Sequence, residues 1–327
     1  MSASKNKSPG EPIVIGVDPA PSKGLCVYAH AHGSSNLGEN CGFKKHYGTT
    51  ELEDFTTKIN NLAKIHPVLI CWDAPLTVPH ESNRFYTREI EAIWIRGRAN
   101  RKGKTPESET AWASVQGFAG CSHWAITQRI LGFPSLDNNS LAGVMLKNTT
   151  LIYEEPVKPK EFGNSVYIIE VHPALAMQVA LGSKKVNEFK SGGRLSGAGS
   201  YKKVSWTKFD KAKKNNVTDG FKELLKNVKK EFIVTTGDVD FLPNRSGTGD
   251  KTNPSDHLDA WVAMQLGRMC LDGKARIYGN ERLGSFLLKV SENVKIESEI
   301  IAKIEEMENR KGDRALIHTP PPPPAAS

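Results

Sequence analysis

"PVLICWDAPL" (residues 67–76) places Asp73 directly after an apolar run, Val68 to Trp72, with a proline two positions later. The run predicts a buried strand, because it is short, rich in β-branched and aromatic residues, and bounded by prolines. An ionised carboxylate beside such a core is costly unless another group or a cation neutralises it. We therefore expect Asp73 to have a partner.

Two other stretches end an apolar run on an acid in the same way. "PIVIGVDPAP" (residues 12–21) ends on Asp18, and "VYIIEVHPAL" (residues 166–175) ends on Glu170. Ligands of open α/β sheets gather at the carboxyl ends of the strands, so these three acids are expected to point into one cleft. Asp256 and Asp259 are three residues apart in a predicted helix, hence on one face of it. Five carboxylates are thus expected to converge.

A carboxylate-rich site without cysteine ligands favours Mg²⁺ or Mn²⁺ over zinc. Two such ions, about 4 Å apart, are the known arrangement for attack of water on a phosphodiester. His172 and His257 flank two of the acids and are candidates for proton transfer or ligation. Each acid also has a structural interpretation: Asp256 as a helix cap, Asp18 and Asp73 as turn residues, and Glu170 as half of an ion pair.

The order of predicted elements indicates an α/β fold with a central mixed sheet and flanking helices. Strand candidates "IVIGVD", "GLCVYAHAHG" and "CGFKKHYG" suggest a meander, and residues 51–66 carry Leu52, Phe55, Ile59 and Leu62 at helical spacing. Strands at 68–72 and 166–171 follow, then helices closed at Gly182, near 220–230 and at 253–270. In the last of these, Ala260, Ala263 and Gly267 form a small-residue stripe that permits close packing on a sheet.

The domain prediction divides the chain into three parts. Residues 1–12 read as a disordered N-terminus. Residues 13–275 form the main domain, with a helical insertion near 80–150 and a basic loop near 184–216. Residues 276–327 are expected to be an appended helix and a proline-rich tail, whose proline run is a candidate contact for a protein partner.

Positive charge is concentrated in two segments. The net charge is +8, yet residues 184–216 hold ten Lys/Arg against two acids and residues 84–104 hold seven against two. Localised basicity of this kind is typical of a nucleic-acid footprint, and the alternative is a pair of solvated surface loops. The candidate nucleic-acid contacts are Arg84, Arg88, Arg96, Arg98, Lys184, Lys185, Arg194, Lys202 and Lys203.

Five cysteines without a C-x-x-C pair indicate reduced, buried thiols, and hence a cytoplasmic location. No stretch approaches the roughly 18 apolar residues of a membrane span, so no membrane partner is expected.

The order of elements resembles the ribonuclease H-like fold. More specifically, "GVD" (16–18), "WDAPL" (72–76), "EVHPALA" (170–176) and "DHLDAWVA" (256–263) resemble the family called domain of unknown function 429, regarded as predicted RNase H-like nucleases. The resemblance implies a divalent-metal nuclease with acidic roles at Asp18, Asp73, Glu170, Asp256 and Asp259. Asp18 would bridge two ions, Asp73 and Glu170 would each hold one, and the helix acids would complete the site.

The sequence therefore predicts a nuclease that hydrolyses phosphodiester bonds with two Mg²⁺ or Mn²⁺ ions. One alternative is a non-catalytic nucleic-acid-binding protein with the same fold. The other is a phosphotransferase of the actin-like ATPase class, although residues 19–23 ("PAPSK") are a poor phosphate-binding loop.

Overall fold

The computed structural model describes residues 11–20, 24–32, 47–76, 126–127, 129–131, 145–155, 157–181, 216–233, 253–281, 283–290, 301–302 and 304–305. The chain divides into two compact units, residues 1–290 and 291–327. All of the strands and long helices below belong to the first unit. In the second unit, the four described residues are helical.

A six-stranded mixed sheet forms the centre of the first unit. Its strands are β1 (Ile13–Ala20), β2 (Gly24–Ala31), β3 (Tyr47–Thr50), β4 (Val68–Trp72), β5 (Thr149–Ile152) and β6 (Val166–Glu170). Their order across the sheet is β3-β2-β1-β4-β6-β5. β1, β2 and β3 pair antiparallel, whereas β1, β4, β6 and β5 run parallel. The carboxyl ends of β1, β4 and β6 therefore meet at one edge.

Four longer helices and a hairpin pack with the sheet, beside a short 3-10 helix (Pro159–Glu161) and helical residues 126–127 and 129–131. The helices are α1 (Leu52–Leu62), α2 (Pro173–Leu181), α3 (Asn216–Phe232) and α4 (Pro254–Leu271). The hairpin pairs β7 (Ala275–Asn280) with β8 (Gly284–Lys289), and β8 packs against α2 and α4. The α/β class with a mixed sheet and flanking helices is thus confirmed.

One face of the sheet is covered by α1, the amphipathic helix expected from residues 52–62. Phe55, Ile59 and Leu62 are buried with Val17 and Trp72 in one apolar cluster. The Trp72 indole donates a hydrogen bond to Thr127 Oγ1 at 2.8 Å, so its polar atom is satisfied inside the core. This face is a conventional hydrophobic core.

The other face of the sheet is covered by α4, which lies unusually close to β1 and β4. A Cβ atom on Gly16 would overlap the Ala260 carbonyl oxygen and the Met264 backbone, and one on Gly267 would overlap the Cys71 sulfur. At Gly16 the strand backbone therefore meets the helix backbone, whereas at Gly267 the helix backbone meets side chains of β1 and β4. The predicted small-residue stripe does permit close packing here.

Several predicted boundaries shift. The third strand was expected within residues 41–48; residues 41–46 lie outside the described ranges, and β3 spans Tyr47–Thr50. Neither β5 nor the β7–β8 hairpin had been predicted. The main domain was expected to end at residue 275, but the compact unit extends through the hairpin to Val290. Within the described ranges, no helix is long and apolar enough to cross a membrane.

Candidate metal centre

The carboxyl ends of β1 and β4 bring two aspartates side by side. Val17 pairs with Trp72 in the parallel ladder, and the Asp73 amide donates to the Val17 carbonyl at 2.9 Å. Asp18 and Asp73 each follow these residues by one position. Successive side chains of a strand alternate between faces, so both aspartates lie on the face covered by α4.

The first turns of α4 supply the third carboxylate. Asp259 directly precedes Ala260, whose carbonyl oxygen packs against Gly16, two residues before Asp18. The close approach of helix and strand brings Asp259 to the two strand aspartates. One oxygen from each of Asp18, Asp73 and Asp259 lies within 4.8 Å of the others. Among the described residues, this is the only group of three or more ligand-type side chains at such range.

The chemistry of this triad fits a hard divalent cation. All of the donors are carboxylate oxygens, the ligands that Mg²⁺ and Mn²⁺ prefer. Asp18 is 5% exposed and Asp259 is fully buried, whereas Asp73 is only partly buried. Like charges this close and this desolvated repel each other strongly unless a cation or a proton neutralises them. The triad could hold a metal ion that is reached from the side of Asp73.

Two buried thiols lie on the same side of the sheet but add no soft ligand. Cys71 precedes Asp73 by two positions and contacts Gly267, and Cys270 lies one turn further along α4. Burial, together with the charge of Cys270, raises the pKa of Cys71 well above its usual value. Burial and the charge of Glu155 raise the pKa of Cys270 to about 12. Both therefore stay protonated at neutral pH, and the prediction of buried, reduced thiols is confirmed for Cys26, Cys71 and Cys270.

Asp256 does not join the triad, because it caps α4. Its Oδ2 accepts a hydrogen bond from the Asn253 amide at 2.8 Å, and its Oδ1 accepts one from the Ser255 hydroxyl at 3.2 Å. With Asn253 at the N-cap, this is a capping box. The interpretation of Asp256 as a helix cap is thus confirmed, and Asp256 is not among the three residues of the triad.

Glu170 ends β6 at the same edge but lies on the opposite face. It pairs with Trp72, so its side chain shares the α1 face with Trp72 rather than the α4 face with Asp73. Its Oε2 accepts a hydrogen bond from the Leu76 amide at 2.9 Å. Glu170 is therefore not among the three residues of the triad, although it lies at the same edge of the sheet.

The two candidate histidines both have structural neighbours. The Nδ1 of His172 accepts a hydrogen bond from the Leu175 amide at 3.3 Å, as a cap of α2, and its ring meets Phe286 edge-on. His257 is buried, with its Nδ1 3.5 Å from the Tyr28 hydroxyl. Neither belongs to the triad.

Gly16 fixes the approach of α4 but is not among the predicted site residues. A glycine inside an apolar strand is itself a signal of close backbone approach, and "IVIGVD" carries it. The predicted nucleic-acid contacts all lie outside the described residues: Arg84, Arg88, Arg96, Arg98, Lys184, Lys185, Arg194, Lys202 and Lys203.

Comparison of the chain with family models, curated proteins and solved structures found no match in any of the three.

Proposed function

We propose that this protein is a divalent-metal-dependent nuclease of RNase H-like fold, which hydrolyses phosphodiester bonds in nucleic acid. The observation that carries the proposal is the triad of Asp18, Asp73 and Asp259, whose oxygens lie within 4.8 Å of one another. Two of these residues end adjacent parallel strands, and the third comes from a helix packed on the same face. Such a group suits a cation that polarises a phosphate ester.

The topology supports this fold assignment. The resemblance implies a three-strand antiparallel meander, a helix and then further parallel strands. The sheet has this arrangement, with β4 beside β1 and β6 beside β4. β5 is an addition at the outer edge, beyond β6, and it leaves the β1–β4 neighbourhood intact. The late helix α4 supplies its acid to the carboxyl end of β1. The additional strand therefore does not disturb the position of the triad.

The three aspartates would hold Mg²⁺ or Mn²⁺. When bound, the metal would lower the pKa of a water nucleophile and stabilise charge on the phosphate oxygens. Asp18 follows Val17, the sheet partner of Trp72, and one of its carboxylate oxygens lies within 4.8 Å of those of Asp73 and Asp259, so all three side chains would share in holding the metal. The partial exposure of Asp73 marks the side from which a phosphate would enter, whereas the burial of Asp259 excludes bulk water from the other side.

The charge distribution supports a polyanionic substrate. Residues 184–216 carry a net charge of +8 and residues 84–104 one of +5, which together exceed the +8 of the whole chain, so the rest of the chain is mildly acidic. We propose that these segments contact phosphates, which gives affinity with little sequence selectivity and strong salt dependence.

The test compares wild type with Asp18→Asn on labelled single-stranded, duplex, hybrid and junction substrates, each in Mg²⁺, Mn²⁺ or EDTA. We expect cleavage that needs the metal and is lost in the variant, and the substrate cleaved identifies the substrate class. Asp256→Asn is the matched control, because it removes a carboxylate from the same helix outside the triad. Binding in EDTA without cleavage in any metal would instead favour a non-catalytic binding protein.

A further inference from the structure

Glu170 lies at the edge that carries the triad but makes its contact on the other face of the sheet. It is 2% exposed, and Leu76, to whose amide it is hydrogen-bonded, is equally buried. An acid this deep inside the protein is uncommon unless it has a defined polar partner. Its buried position calls for an explanation other than direct metal binding.

The segment that Glu170 contacts is the one that follows Asp73. β4 ends at Trp72, and residues 73–76 have no regular secondary structure. Upstream, the segment is fixed by the Asp73 amide, which donates to the Val17 carbonyl at 2.9 Å. Downstream, it is fixed by the Leu76 amide, which donates to Glu170 Oε2 at the same distance. Asp73 thus stands in a short loop held at both ends.

We propose that Glu170 is a positioning residue: by anchoring the Leu76 amide it holds the loop that carries Asp73, and so fixes that carboxylate in the triad. The inference rests on the proposed function, and it replaces a ligand role for Glu170 with an indirect one. The contact joins a side-chain oxygen to a backbone amide at 2.9 Å, so it restrains the path of the loop itself. A misplacement of about 1 Å at a reacting group can cost a factor on the order of 100 in rate.

Three variants at this position separate anchoring from ligation. Glu170→Gln keeps an acceptor oxygen at the same reach but loses the charge. Glu170→Asp keeps the charge but withdraws it by one methylene group. Glu170→Ala removes both. Anchoring predicts that Gln preserves function better than Asp, whereas metal ligation predicts the reverse.

The measurements are Mn²⁺ affinity by calorimetry, kcat and KM for cleavage at saturating Mn²⁺, and hydrogen exchange of the Leu76 amide. We expect Glu170→Asp and Glu170→Ala to lower kcat roughly 10- to 100-fold, weaken Mn²⁺ binding and speed Leu76 exchange. We expect Glu170→Gln to keep kcat, Mn²⁺ affinity and the exchange rate of the Leu76 amide within about tenfold of their wild-type values. Asp73→Asn should lose Mn²⁺ binding while Leu76 exchange stays slow.

Two results would overturn the inference. In the first, Glu170→Gln is as inactive as Asp73→Asn while Glu170→Asp retains activity. This result would make Glu170 a metal ligand. The other is a set of variants that unfold at lower temperature yet keep wild-type kcat and Mn²⁺ affinity below that temperature. If wild type cleaves nothing, the proposed function fails; the ranking of the variants in Mn²⁺ affinity and Leu76 exchange still decides the anchoring role.

Discussion

Gly16 in β1 lies so close to the Ala260 carbonyl of α4 that a Cβ atom would have no room. Asp18 follows Gly16 by two positions on the same face, and Asp259 immediately precedes Ala260. The contact between strand and helix backbones therefore sets the separation of the two carboxylates. A side chain at Gly16 would have to push β1 and α4 apart, because the backbone atoms it would meet cannot move to another rotamer as a flexible side chain can.

Gly16→Ala is expected to lower both stability and metal binding. Overpacking in cores costs about 1–3 kcal/mol, and a backbone clash belongs at the upper end of that range. Displacement of α4 would also carry Asp259 away from Asp18. Urea unfolding gives the loss of stability, and calorimetric titration with Mn²⁺ gives the loss of affinity.

Gly163→Ala is the matched control, since nothing lies within 4 Å of a Cβ atom at that position. It should change the free energy of unfolding by no more than about 0.5 kcal/mol. Wild-type Mn²⁺ affinity in Gly16→Ala would show that the helix position does not govern the triad.

Substitutions of the two aspartates of α4 are expected to have opposite effects on stability and on Mn²⁺ affinity. Asp256→Ala breaks the capping box, so it should cost about 1 kcal/mol of stability and leave Mn²⁺ affinity near that of wild type. Asp259→Asn removes one of the three carboxylate ligands, so it should abolish Mn²⁺ binding. Because it also removes one of three mutually repelling charges, it should cause no comparable loss of stability in EDTA.

Thermal unfolding with and without Mn²⁺ measures this difference. Wild type and Asp256→Ala should both gain about 2.7 kcal/mol of stability at an ion concentration 100 times Kd, whereas Asp259→Asn should gain none. If Asp256→Ala also loses the metal-dependent gain, then Asp256 has a ligand role that its cap does not exclude.

Alkaline pH should destabilise the fold through the buried thiols. The pKa of Cys270 rises from its usual 9.0 to about 12, so the unfolded chain releases this proton first. Stability is therefore fully present below about pH 9 and declines as pH rises towards 12, by at most about 1.4 kcal/mol per pH unit for this group. Urea unfolding from pH 8 to 11 should show a shallower decline in Cys270→Ala. Parallel curves for the two proteins would contradict this prediction.

Substitution of the basic segment should weaken nucleic-acid binding without abolishing cleavage at saturation. Lys184→Ala combined with Lys185→Ala should lower affinity on every sequence and reduce the salt dependence, by about 0.9 in the slope of log K per lost phosphate contact. Lys222→Ala with Lys226→Ala makes the same change in net charge on exposed residues of α3 and serves as control. Equal effects of the two pairs would indicate general electrostatics instead of a local contact.

The sequence predicted the strands and helices with strong periodic patterns, because these patterns reflect burial directly. β1, β2, β4, β6 and α1 all appear where expected. β5 is a four-residue edge strand of mostly exposed or half-buried residues, so it has no comparable signal.

The site was predicted in part, and the failures have distinct causes. An acid at each strand end suggests convergence, but which face it occupies depends on the register, and Glu170 pairs with Trp72 rather than with Asp73. Only the assembled sheet supplies that register. For Asp256 a local signal did exist: Asn253, a proline and an acid at the third helical position are typical of a capping box.

The close packing of α4 on β1 also determines when, during synthesis of the chain, the aspartate triad can be completed. β1 and β4 leave the ribosome early, whereas α4, and with it Asp259, emerges only after most of the first unit has been made. Until then the surface around Gly16 has no covering helix and the triad lacks one member. Under the proposed function, the protein would be inactive as a nascent chain, while it is still next to the messenger RNA that encodes it.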